Sequence, residues 1–134
     1  MIKLINLIEQ HIQGLGFSVE PVMPTKDIQQ MNKRFVVINA ETGTPTTDLC
    51  GNINYDSPIN IYVVDKNTKE VNNLYNDAET IAYSLKLNLK NTRDSEFYLA
   101  GFKAPVINKA GIDNAGRVVI PITINALWQR LTAQ

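Results

Sequence analysis

The chain has 134 residues, 44% of them hydrophobic, and 13 basic side chains against 13 acidic ones give a formal net charge of zero. That is enough chain for a real core in one domain, 1–134, and too apolar a composition for a disordered segment. Neutrality excludes binding to nucleic acid by bulk charge, because counterion release needs a clear basic excess, and a lone cysteine, Cys50, excludes an internal disulfide and fits a reducing compartment.

No apolar run approaches the roughly 18 residues that span a bilayer. The N-terminus has one lysine and a polar, amphipathic stretch instead of a signal peptide. The expected site of synthesis and residence is the cytoplasm, or something assembled there.

Met1 to Gln13 reads as a helix with Ile5, Ile8, Ile12 and Leu15 on one face and Leu4 and Leu7 at its edges. Gly14 and Gly16 stop it. His11 has no histidine or cysteine at ligand spacing, so it reads as a surface or groove residue. Phe17 to Pro24 reads as a short extended segment or edge strand, Thr25 to Lys33 as a loop, and Arg34 to Ala40 as a buried strand.

Glu41 to Gly51 combines two glycines, a proline and four threonines, which predicts a long loop without strand or helix periodicity. Its acids do not match a calcium-loop spacing. A loop of this length in a compact domain is usually functional or mobile, and here it reads as a protruding contact element. A strand resumes at Asn52 to Tyr55, and Pro58 is expected to kink it or put it at an edge.

The strongest pattern is the unit from Pro58 to Leu89. An apolar strand, Pro58 to Asp65, turns through Lys66–Lys69 into a helix with Val71, Leu74, Tyr75, Ala78, Ile81, Ala82, Leu85 and Leu89 on one face. Asn67 with Glu70 three residues on suggests a capping-box start. Asn72, Asn73 and Asn76 leave the outer face nearly uncharged.

Asn91 to Glu96 reads as a polar turn, and Phe97–Phe102 and Ala104–Asn108 as two β-like pieces. Asp113-Asn114-Ala115-Gly116 is a hairpin turn before a long strand, Val118 to Leu127. Pro121 in that strand predicts an edge position or a local break. Trp128 to Leu131 forms a short tail. The expected fold class is α+β. It has a mixed, mainly antiparallel sheet, an N-terminal helix and one long central helix packed on it, and a C-terminal β-hairpin.

There is no glycine-rich phosphate loop, no Ser–His–acid set and no Cys/His metal cluster. The sequence therefore offers no catalytic, cofactor-binding or metal-binding residues, and the chain reads as a non-enzyme with no cofactor. Between Lys86 and Arg117 six basic residues, Lys86, Lys90, Arg93, Lys103, Lys109 and Arg117, outnumber three acids. Solvated surface is the plain reading of this excess, and a weakly basic rim facing a polyanion is the functional one.

In size and in the order of its elements the chain resembles the tail terminator (tail completion, minor tail) proteins of long-tailed bacteriophages. The likeness is carried by the helix ending at Gly14-Leu15-Gly16 and by the strand Arg34–Ala40 with its Thr/Gly/Pro-rich loop into Pro58–Asp65. The helix Val71–Leu89 and the closing strand Gly116–Ile124 complete it. The resemblance rests on pattern across nearly the whole chain and on no single motif.

It implies a homohexameric ring that caps the tail tube, stops its polymerisation and offers the head-tail joining surface. The implied partners are the chain itself, a tail tube protein and a head connector, with DNA only as passing cargo and no membrane. The implied location is the virion tail, with assembly in the host cytoplasm. Under this reading Glu41, Thr42, Gly43, Thr44, Pro45, Thr46, Thr47 and Asp48 form the tube-contact loop. Asn72, Asn73, Asn76, Trp128 and Leu131 are candidates for the subunit interface. The loop is expected to be mobile until its partner is bound and dispensable for the fold. Another phage neck or minor capsid protein, or a small cytoplasmic ligand-binding or regulatory module, are the alternatives.

Overall fold

The computed structural model describes residues 1–20, 34–66, 68–114 and 116–131. The readings for residues 21–33 and for Asn67 and Ala115 fall outside them. Two helices, α1 (Ile2–Gly14) and α2 (Val71–Asn88), accompany nine strands in one sheet. The strands are β1 (Val19–Glu20), β2 (Phe35–Ala40), β3 (Thr46–Thr47), β4 (Ile53–Asp65), β5 (Thr92–Arg93), β6 (Phe97–Phe102), β7 (Val106–Ile107), β8 (Gly111–Ile112) and β9 (Val118–Arg130).

The sheet order is β1-β2-β4-β9-β6-β5, with β3 on β4 and β7 and β8 on β9. Among the described residues only the β1–β2 pair is parallel. The fold is therefore α+β with a mixed, mostly antiparallel sheet.

Its spine is the pair β4–β9, 13 residues each, joined without interruption from Ile53↔Arg130 to Asp65↔Val118. At roughly 3.3 Å per residue the pair is about 40 Å long. The sequence alternates along it, so Ile59, Ile61, Val63, Ile120, Ile122, Ile124 and Ala126 point to one face and are buried.

Both helices cover that face. Leu4, Ile8 and Ile12 of α1 and Leu74, Ala78, Ile81, Ala82 and Leu85 of α2 join the strand residues in one apolar cluster. Each large side chain fully buried there contributes roughly 1.5–3 kcal/mol. That outweighs the poor helix propensity of the outer asparagines of α2. The buried stripe of α1 runs through Leu4, Ile8 and Ile12; Ile5 is only half-buried, and Leu15 is exposed instead of belonging to the stripe.

Four expectations are corrected. Pro58 neither kinks β4 nor places it at an edge, because β4 is central and continuous. Its carbonyl accepts from Glu41 N at 3.0 Å, so its ring nitrogen points the same way, to where β2 has just ended at Ala40↔Ile59. No ladder bond is lost. Pro121 repeats the arrangement on β9. Its carbonyl accepts from Asn108 N at 2.8 Å and its nitrogen faces the gap between β7 and β8, so β9 is neither at an edge nor broken there, against expectation.

The supposed turn Asn91–Glu96 contains β5, which pairs with β6 through Thr92↔Leu99 and Arg93↔Tyr98. The start of α2 also differs. A 3-10 turn, Thr68–Glu70, precedes it, and Glu70 takes the cap position. Its carboxylate makes no capping bond to the helix backbone and accepts instead from the Asn73 side-chain amide, so Glu70 holds the cap position where it was expected three residues inside.

Arg34 ties three elements together. Its Nε donates to Asp65 Oδ2 at 2.9 Å, and its Nη1 to Asp77 on α2. Burial alone would lower the guanidinium pKa; Asp77 and Asp65 outweigh it and hold the group charged. On the opposite face of the sheet, Phe35 and Val64 pack with Val37, Tyr62 and Val119, and the Arg117 guanidinium lies 5.5 Å from the Phe35 ring centroid.

Candidate assembly surfaces

The segment after β2 is not a free loop. Trp128 Nε1 donates to Ser57 Oγ at 2.8 Å, and Ser57, fully buried on β4, donates to the Thr42 carbonyl. This relay fastens the root of the segment to the sheet. Gly43 sits at φ +77, and a Cβ there would lie 2.2 Å from the Asp56 carbonyl oxygen. Only glycine allows so close an approach.

Beyond it Thr46 and Thr47 form β3 on Asn54 and Ile53. The expectation of a dispensable loop without strand structure is therefore corrected, since deleting Gly43 to Thr47 would remove a strand pair. Gly43→Ala is expected to cost about 3 kcal/mol, the upper end of strain at such a position, because the backbone facing the new Cβ must also move. Gly51→Ala, at φ +83 with open space around it, should cost about 1 kcal/mol. Chemical denaturation compares the two, and equal losses would overturn the close approach.

Between β3 and β4 the chain makes a locked turn. Asp48 Oδ1 accepts from Cys50 N at 3.0 Å and from Asn52 N at 2.9 Å. Asp48 N donates to the Asn52 carbonyl, and Gly51 N donates to the Asp48 carbonyl. At its tip Leu49 stands wholly in solvent. By sequence this residue belongs to the loop. The available signal was that Leu49 is the one large aliphatic side chain in a Thr/Gly/Pro-rich stretch.

Below the same end of the sheet is an open groove of about 810 Å³. Tyr55, stacked on Trp128 at 4.3 Å, helps line it with Phe97, Ile53, Ile2 and Leu131, while Lys3, Glu96 and Arg130 stand at its rim. Lys3 bridges Glu96 at 3.0 Å and Asp94 at 3.2 Å, and Glu96 first, then Asp94, raises its pKa. Asp94 is held below the usual carboxylate range, chiefly by the Glu96 backbone N–H.

Of the interface candidates, Asn72, Asn73 and Asn76 are exposed on α2. Leu131 is half-buried at the groove. Trp128, a candidate for the interface, is instead part of the core: it is 5% exposed, its ring stacks on Tyr55 and meets Phe97 at a tilt, and its N–H is satisfied.

The basic residues do not gather into one rim within a single copy. Arg93 lies level with Gln129, and Arg117 directly precedes Val118, so they stand about 40 Å apart along β9. Lys86 Nζ donates to the Phe102 carbonyl at 3.0 Å, Lys103 pairs with Asp56, and Arg117 pairs with Asp113. Lys103 first, then the Asn125 amide, holds the Asp56 carboxyl below its ordinary range. Lys90 and Lys109 are exposed and make no ion pair among the described residues.

His11 Nε2 lies 2.8 Å from Ser84 Oγ, where it links α1 to α2. Among the described residues no group of three or more His, Cys, Asp or Glu side chains could hold a metal ion. No helix there is long and apolar enough to cross a membrane.

No family model matches the sequence, and no curated protein does either. The fold is similar to that of a chain in the virion of native gene transfer agent (GTA) particle. The TM-score is 0.63 and the identity 12%, over 91% of each chain.

Proposed function

We propose that this chain is a non-enzymatic structural protein of a phage virion. It closes into a hexameric ring on the end of the tail tube, stops tube growth and presents the joining surface to the head connector. The single observation that carries the reading is the fold likeness to a virion chain across nine-tenths of both molecules. It agrees with the tail terminator pattern of the elements.

In this reading the chain works in the virion tail and assembles in the host cytoplasm. The pinned arm from Glu41 to Asp48 meets the tail tube. The uncharged Asn72, Asn73 and Asn76 face is available to a neighbouring subunit. Contact with passing DNA falls to Lys90, Arg93 and Lys109, which are exposed and make no ion pair among the described residues.

Negative-stain electron microscopy and native mass measurement of the purified chain, alone and mixed with tail tubes, test the reading. Rings of a single size, or monomers that become rings on tubes, are the expected result. A stable monomer or dimer in both samples would sink it, and would favour the ligand-binding module if a small molecule co-purified.

A further inference from the structure

The tip of the β3–β4 turn and the groove below the sheet are complementary, and both stand open on the same chain. Leu49 has no apolar neighbour of its own, while the groove is walled by Ile2, Ile53, Tyr55, Phe97 and Leu131. The charges match as well. Arg130 at the rim makes no ion pair among the described residues. Asp48, next to Leu49, uses only Oδ1 in holding its turn. The turn is already locked by its own hydrogen bonds, so docking costs little conformational freedom.

We propose that Leu49 of one copy seats in the groove of the next copy, with Asp48 facing Arg130. This contact would be the interface on which the ring closes, and the inference rests on the ring reading above. Knob and groove are different patches of one surface. A repeated contact between them is therefore head-to-tail, the kind that closes into a ring when the rotation allows. The charged pair at the rim sets the register, and the apolar knob supplies the affinity.

The test uses the purified chain, at high concentration alone and mixed with tail tubes, with sedimentation as the readout. Leu49→Arg should raise the concentration at which half the chains are assembled by about thirtyfold or more, the size of a hot-spot loss. Its melting curve should match that of the unaltered chain, because Leu49 touches nothing within the copy. Arg130→Glu should weaken assembly about tenfold, and more at low salt than at high salt.

Cys50, exposed beside Leu49, supplies a second readout. Ile2→Cys places a partner thiol at the groove, and mild oxidation should give a ladder of linked chains on a non-reducing gel. Linked dimers and higher species support the contact; a purely internal bond, or none, overturns it. Rings that persist in Leu49→Arg overturn the contact while leaving the ring reading in place. A chain that stays monomeric with and without tail tubes overturns both.

Discussion

Leu85→Asp is expected to abolish the cooperative unfolding transition and send the chain into the insoluble fraction. Leu85 lies on the inner face of α2 at 0% exposure, within the cluster that α1, α2 and the sheet share. Removing the side chain alone costs about 2–5 kcal/mol. The carboxylate put in its place has no cation to meet in that cluster, and burying it adds several kcal/mol more. Together these approach the whole stability of a domain, about 5–15 kcal/mol.

Leu87→Asp is the matched control. Leu87 is on the same helix but 65% exposed, and its replacement should stay within about 0.5 kcal/mol. Circular dichroism melts of the pair check the assignment of faces. Full solubility and an unchanged melt for Leu85→Asp would overturn the packing of α2 on the sheet.

The second large effect is expected at Trp128. Trp128→Ala should lower stability by about 3–5 kcal/mol, the usual range for emptying a buried aromatic site. Three losses coincide there: the stack on Tyr55, the tilted contact with Phe97, and the hydrogen bond to buried Ser57. The effect should also reach the arm after β2, because Ser57 is the group that holds the Thr42 carbonyl.

Trp128→Phe separates the contributions. It keeps a ring in the stack but removes the donor to Ser57 Oγ. The hydroxyl still donates to Thr42, so the expected loss is about 1 kcal/mol. Urea midpoints followed by circular dichroism measure both variants, since Trp128 is the only tryptophan and fluorescence would vanish with it. If Phe were as damaging as Ala, the hydrogen bond would dominate and the stacking account would be wrong.

The strand Arg34–Ala40, the strand–helix unit Pro58–Leu89 and the strand opening at Val118 were legible because each is long and carries a strict period. β-branched residues alternate on the strands, and apolar residues recur at three and four on the helix. The Asp113–Gly116 turn was legible for the same local reason. Asp113 accepts from Arg117 N at 2.9 Å, and Gly116 N donates to the Asp113 carbonyl at 3.0 Å. These features depend on neighbours in sequence, so composition and spacing suffice to find them.

The candidate surfaces were legible only in part. The segment after Ala40 stood out by its threonines and glycines, but its attachment depends on Ser57 and Trp128, far away in sequence and adjacent only once β4 and β9 pair. Two-residue strands such as β3 and β5 have no period to detect and exist because a longer strand offers them a free edge. Proline in a strand signals a missing donor; whether that donor is needed depends on where the neighbouring strand stops. The α+β class, helices α1 and α2 and the strands β2, β4 and β9 thus follow from local side-chain periodicity. Only the pairing of distant segments settles that Trp128 is core, that β4 and β9 run straight through their prolines, and that Leu49 stands in solvent at the end of the sheet where the groove opens. Burial at each of those places is a property of two segments meeting, and neither segment encodes it alone.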